Sequence, residues 1–267
     1  MKWFLEFLMP SKRRILAVKK IEMLGANMKR ITLSGEGLLD FPQGQEGSYV
    51  KASFEKNTDP PIDSMRENRF CRRSFTVRHF RKKELELDLD FLLHGDSGSA
   101  SKWATSAKEE DTLEIAGPGP AKIAPPEANW YVFVGDMTAL PAIAVNLEKL
   151  RNDATGIALI EVMSSKDIQA LKKPPGLDIQ WIINRSPLKG CSELMDQFFS
   201  IKWCRRNPYA WVAGEFELMR GAKKFLKEKR NLPKNSMYLS CYWKIDEDNE
   251  GMKKAKALFE HNQSVNA

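Results

Sequence analysis

The rhythm of apolar residues changes at Pro125-Pro126, and this change restricts the fold more than any other feature of the chain. Before it, apolar and polar residues alternate over 15–23, 28–34, 48–54, 73–80, 84–90 and 112–116. A period of two sends successive side chains to opposite faces, so each run predicts a half-buried strand. Turns rich in Gly, Pro, Asn and Gln between the runs predict antiparallel pairing. In 84–90 the inward set is Leu85, Leu87 and Leu89, and Arg81-Lys82-Lys83 reads as a solvated hairpin tip. Short strands at hairpin spacing close most simply into a barrel. Beyond Pro126, Tyr131-Val132-Phe133-Val134 is a continuous apolar run, as a strand buried on both faces requires. Leu140, Ile143, Leu147 and Leu150 then recur at helical spacing, with Pro141 tolerated in the first turn. Strand patterns at 157–162, 179–183, 209–213 and 237–242, and helix patterns at 193–203, 217–229 and 251–262, repeat that unit. The expected fold is an antiparallel β-barrel over residues 14–125 followed by a parallel-sheet α/β domain over residues 128–267.

One stretch carries most of the chemistry. From Arg73 to Trp103 it brings together basic side chains, an aromatic, a hydroxyl and a Gly/Ser turn. Alternation puts Arg73 and Phe75 on one strand face and Thr76 on the other. Small residues at Gly98-Ser99-Ala100-Ser101, just before Trp103, leave helix-start N–H groups free to meet a phosphate. In an open α/β sheet, ligands sit beyond the carboxyl ends of the strands, here Gly135-Asp136-Met137-Thr138 and Gly214-Glu215. Helix capping by Asp136 or Thr138 accounts for the first of these equally well.

Bulk properties exclude several classes. A formal net charge of +7 is spread along the chain with no basic tail, which argues against nucleic acid and leaves anionic lipid or an anionic small molecule as partner. Cys71, Cys191, Cys204 and Cys241 form neither a disulfide framework nor a metal set, so reduced thiols and a cytoplasmic location are expected. The N-terminal MKWFLEFLMPSKRR resembles a short signal peptide, but Glu6 interrupts it and no cleavage site follows, so it is expected to be retained. No run approaches the roughly 20 apolar residues of a spanning helix, so stable membrane insertion is not expected, and a monomer is the default.

Taken in order, Arg73-Ser74-Phe75-Thr76-Val77-Arg78, His94-Gly95-Asp96 to Gly98 and Trp103-Ala104, Gly135-Asp136 with Thr138-Ala139-Leu140-Pro141, Trp211 to Glu215, and Tyr242-Trp243-Lys244 resemble the siderophore-interacting proteins. These are flavin-dependent ferric-siderophore reductases of the ferredoxin-reductase-like superfamily. The resemblance implies an FAD-binding barrel and a nicotinamide-binding α/β domain. It would place Arg73 on the FAD pyrophosphate, Phe75 stacked on the flavin and Thr76 near its N5, making Phe75 and Thr76 the catalytic pair. Ser74, Asp90, His94, Gly98, Ala100, Ser101 and Trp103 would complete the flavin site, and Asp136, Thr138, Ala139 and Trp243 would also contact cofactor. On composition Trp243 is a core residue; only the resemblance makes it a lid. The family usually has tyrosine, an acidic residue and arginine where this chain has Phe75, Met137 and Lys244.

The implied reaction passes electrons from NADH, NADPH or ferredoxin through FAD, singly, to a ferric siderophore, releasing Fe(II) in the cytoplasm. No side chain need ligate iron, so no metal site is expected. Lys51, Arg78 and Lys244 are candidates for drawing in an anionic ferric chelate, and serve equally as ordinary surface charge. Lys166 and Arg185 follow strand patterns and could meet a 2′-phosphate. The alternatives are a general flavin or ferredoxin reductase and a ferric-siderophore carrier without turnover.

Overall fold

The computed structural model describes residues 12–55, 69–95, 98–204 and 207–245. Residues 1–11, Asp96 and the helix pattern at 251–262 lie outside that set. The chain divides into two compact units, Met1–Lys122 and Ile123–Ala267.

The first unit is one seven-stranded antiparallel sheet. Its strands are β1 (Arg13–Met23), β2 (Met28–Ser34), β3 (Tyr49–Glu55), β4 (Phe70–Thr76), β5 (His79–Arg81), β6 (Glu86–Leu92) and β7 (Thr112–Ala116), and helix α1 (Ser99–Ser106) lies between β6 and β7 in sequence. The order across the sheet is β4-β3-β7-β1-β2-β6-β5. Alternation sets the core: Val50, Ala52 and Phe54 of β3 and Leu87, Leu89 and Phe91 of β6 are buried together. Leu85, in the turn at φ 51, packs half-buried against them.

The single strand expected over 73–80 is two strands. β4 pairs with β3, whereas β5 pairs with β6, and only Val77 and Arg78 separate them. Val77 N donates to Ser48 O and Arg78 N to Asp88 O, so the partner changes between adjacent residues. Because β4 and β5 are opposite edges of the sheet yet two residues apart, the sheet has to curl until its edges meet. The seam is packed by rings, Phe75 of β4 lying 4.4 Å from Phe91 of β6 between centroids. The expected solvated tip is also corrected. Arg81 is tied to Glu86 and Asp88, and Lys82 Nζ donates to the Leu39 carbonyl.

The second unit is a parallel sheet in the order β10-β9-β8-β11-β12. Its strands are β8 (Trp130–Gly135), β9 (Thr155–Val162), β10 (Gly176–Ile183), β11 (Pro208–Glu215) and β12 (Met237–Trp243). Helices α2 (Leu140–Lys149), α3 (Ser192–Ser200) and α4 (Phe216–Glu228) connect them. β9 and β10 extend to one side of β8, and β11 and β12 to the other. The switch point therefore lies between β8 and β11, where a ligand of such a sheet belongs. The helix expected to reach Trp203 stops at Ser200. Trp203 instead packs edge-on against Trp130, centroids 5.3 Å apart. Among the described residues no helix is long and apolar enough to cross a membrane.

Candidate functional site

Strand β4 is an edge of its sheet, and its register decides which side chains share a face. Ala52 lies opposite Arg73 and Val50 opposite Phe75; both partners are fully buried, so Arg73 and Phe75 belong to the inner face. Lys51 lies opposite Ser74 and Tyr49 opposite Thr76, which places Lys51, Ser74 and Thr76 on the outer face. An edge is where side chains of both faces come within reach of one ligand.

Four rings join this edge to α1. Phe75 contacts Phe91 and Phe54, and both of these contact Trp103 of α1, with centroids 4.4 to 5.8 Å apart. Arg73 is half-buried, and its Nη1 donates only to the neighbouring Arg72 carbonyl at 3.3 Å. Its guanidinium is not committed to the fold.

Helix α1 starts at Gly98 without a side-chain cap. A Cβ at Gly98 would stand 2.8 Å from His94 Cε1, so glycine lets the exposed imidazole lie across the helix start without shifting. Ser101 is buried; its Oγ donates to Gly95 O at 2.9 Å and accepts from His94 N at 3.1 Å. That hydroxyl shapes the loop and is not offered outward. Ala100 packs half-buried on the core.

The opposite end of α1 is held by Lys29, which carries no signal in the alternation of β2. Its buried Nζ donates to Ala104 O at 2.5 Å and Thr105 O at 3.2 Å, a cation on the negative end of the helix. Lys29→Met should cost about 1–2 kcal/mol of stability. Melting curves would show the loss.

Two of the residues named from the sequence are engaged within this unit. Both oxygens of the buried Asp90 are taken by Arg30, at 2.7 and 2.8 Å, so Asp90 fastens β2 to β6. Arg78 is only 7% exposed, with Nη1 2.9 Å from His79 Nε2, so it is not a surface cation for an incoming chelate. Alternation could not reveal this, because a basic residue in a strand pattern reads as outward.

In the second unit, Asp136 stands at the switch point with both oxygens occupied. Oδ1 accepts from Thr138 N and Oγ1, and Oδ2 from Glu215 N at 3.0 Å and Trp243 Nε1 at 2.8 Å. The ends of β8, β11 and β12 are thus gathered on one carboxyl group. Burial pushes that carboxyl up, while the Thr138, Trp243 and Glu215 donors oppose the rise. Gly214, at φ +146, is where this packing requires glycine, because a Cβ there would come within 2.4 Å of Asp136 Oδ2.

The start of α2 is consequently full. Thr138 N faces the Asp136 carboxyl, Ala139 N and Leu140 N reach Asp136 O, and Pro141 has no N–H to give. This turn offers no ready cradle for a pyrophosphate. Ala139 is fully buried over Gly135. Trp243 is held by its indole N–H, and Lys244 Nζ lies 5.7 Å from the Phe216 ring centroid.

Near Asp136 lies Glu161, an acid inside the apolar run of β9. It is 4% exposed, and its Oε2 has no hydrogen-bond partner among the described residues. Burial pushes the carboxyl up to about 7, the Asn184 hydrogen bond opposing and the charges of Asp136 and Glu193 adding to the rise. The folded protein therefore binds this proton more tightly than the unfolded chain, so stability falls as pH rises from 4.5 through 7. Glu161→Gln should raise stability at pH 8 by up to about 3 kcal/mol and add nothing below pH 4.5, as urea titrations at both pH values would show. Burial also pushes the Cys191 thiol up to about 12, helped by Glu161, Glu215 and Asp136, so it stays a thiol. The four cysteines are free, and no cluster of three or more His, Cys, Asp or Glu among the described residues could hold a metal.

Comparison with known proteins matches residues 17–122 to the siderophore-interacting FAD-binding domain and residues 128–246 to the siderophore-interacting protein domain. The chain belongs to the siderophore-interacting protein family. Ferric vibriobactin reductase ViuB of Vibrio cholerae is 30% identical over 250 residues, covering 89% of this chain and 91% of that one. The crystal structure of the siderophore-interacting protein SipS from Aeromonas hydrophila superposes with a TM-score of 0.83 at 32% identity, over 94% of this chain and 99% of that one. A ferredoxin NADP+ reductase from Neisseria gonorrhoeae shares the fold alone, at TM-score 0.59 and 10% identity over 87% of this chain and 100% of that one. This siderophore-interacting protein has the ferredoxin-reductase fold, with β4 and α1 in the FAD-binding domain and the switch point in the other.

Proposed function

We propose that the chain is an FAD-dependent ferric-siderophore reductase, drawing electrons from NADH, NADPH or ferredoxin and releasing Fe(II) in the cytoplasm. The observation that carries this reading is the edge of β4, where an uncommitted arginine and a half-buried aromatic are joined by four rings to an uncapped helix start. These residues suit FAD: Arg73 would hold the pyrophosphate, Phe75 and Thr76 the isoalloxazine, and the start of α1 with His94 an anionic or polar part of the cofactor. When bound, FAD supplies the conversion of a two-electron donor into one-electron steps. Residues 17–122 form the flavin domain and residues 128–246 the donor domain in this reading.

The protein's own contribution is binding and approach. The ferric chelate is the substrate, and outer-sphere transfer asks only that it come close to the open edge. Hard oxygen ligands hold Fe(II) far more weakly than Fe(III), so reduction loosens the metal. Lys51, exposed on the outer face of β3, and Lys244 are the cations proposed to favour an anionic chelate. A nicotinamide donor would be held without the α2 start, whose N–H groups are already used. The exposed Lys166 and Arg185, in the loops after β9 and β10, are available to its phosphates. A flavin absorption band in the purified protein, bleached anaerobically by NADH, NADPH or reduced ferredoxin, tests the reading and names the donor. Protein that stays colourless after incubation with FAD would support a carrier instead.

A further inference from the structure

Just beyond β4, Arg78, His79 and Asp88 form a chain of contacts. Arg78 Nη1 lies 2.9 Å from His79 Nε2, and His79 Nδ1 lies 3.0 Å from Asp88 Oδ2. A guanidinium has donors and no acceptor, so Nε2 has to accept, and the ring proton sits on Nδ1, donated to Asp88. The arrangement requires a neutral ring. A second proton would set two donors against each other at the Arg78 contact.

The ring of His79 is half-exposed. Its ring borders a cleft of about 570 Å³ lined by Lys19, Lys20 and Glu22 of β1, Arg30 and Thr32 of β2, Arg81 of β5, and Glu86 and Asp88 of β6. The acids there are already matched: Lys20 holds Glu22 low, and Lys19 and Arg81 hold Glu86 low. Burial works against Asp88, but hydrogen bonds from Arg81, His79 and Thr32 keep it far below the usual carboxylate range. These partners keep their charge between pH 5 and 8.

Arg78 is the second residue beyond Thr76, is almost fully buried, and is anchored through its backbone N to Asp88 O. We propose that His79 is a positioning residue: fixed by Asp88 as the Nδ1–H tautomer, it offers Nε2 to the Arg78 guanidinium just beyond β4, and it withdraws that acceptor on taking a second proton, so that flavin affinity follows the charge of His79. The flavin part rests on the reading of β4 as an FAD site; the tautomer part does not.

His79→Gln separates the two states, because a glutamine amide can donate to Asp88 and accept from Arg78 without titrating. Long-range proton–nitrogen spectra of the flavin-free protein should show an Nδ1–H ring at pH 7.5, identified by its loss in the variant. The FAD dissociation constant of the wild type, read by fluorescence, should rise about tenfold from pH 7.5 to 5.5. That of H79Q should stay flat. An Nε2–H or doubly protonated ring at pH 7.5, or a variant with the wild-type pH profile, would overturn the proposal. Failure of both proteins to bind flavin would remove the FAD reading, while the spectra still decide the His79–Arg78 contact.

Discussion

Replacing Arg73 by alanine should raise the dissociation constant for FAD by about 100-fold, since two charge-assisted hydrogen bonds to a pyrophosphate contribute roughly 3 kcal/mol together. The fold should be indifferent to the change. Arg73 is half-buried on an edge strand and donates at 3.3 Å to a carbonyl one residue away, so its loss leaves no buried partner unsatisfied. Arg73→Lys should recover part of the affinity, because an ammonium keeps the charge but not the planar fork. Isothermal titration of the flavin-free variants with FAD, beside melting curves, checks both halves. Equal affinity in wild type and R73A would mean that the cofactor is held elsewhere.

Asp136→Ala should destabilise the second unit by about 4 kcal/mol. Removing the carboxyl strands the buried Glu215 N–H and the part-buried donors of Trp243 and Thr138, each costing roughly 1–3 kcal/mol at most when left unpaired. Asp136→Asn should fall between, because one amide oxygen can accept but the amide nitrogen faces other donors. Urea unfolding followed by tryptophan fluorescence would register the loss, with Trp243 itself as reporter. A variant as stable as the wild type would return Asp136 to the list of residues available to a ligand.

The architecture was legible because each unit repeats a simple period. Alternation over 28–34 and 48–54 placed β2 and β3 closely, and the apolar run at Tyr131 to Val134 placed β8. The break between β4 and β5 was not legible, because the alternation runs on through Val77 and only the hydrogen-bonding partner changes. The candidate site divides in the same way. Arg73, Phe75 and Thr76 could be assigned to faces from a period of two, and register agrees. Lys29, His79 and Asp136 take their roles from elements far away in sequence, Asp136 from an indole 107 residues on. No local pattern contains those partners. Glu161 announced itself as an acid within an apolar strand, but its raised proton affinity depends on Asp136 and on Glu193 at the start of α3.

The central claim is that this chain carries flavin electrons to ferric iron held by a siderophore. Anaerobic stopped-flow mixing of the photoreduced, FAD-loaded protein with a ferric catecholate siderophore, in the presence of an Fe(II)-specific chromogenic chelator, tests it most directly. The account predicts return of the oxidised flavin band together with about two Fe(II) per flavin, as one-electron acceptance from a two-electron carrier demands. A flavin that stays reduced in contact with the ferric siderophore, while free flavin or a ferredoxin reoxidises it at once, would contradict it.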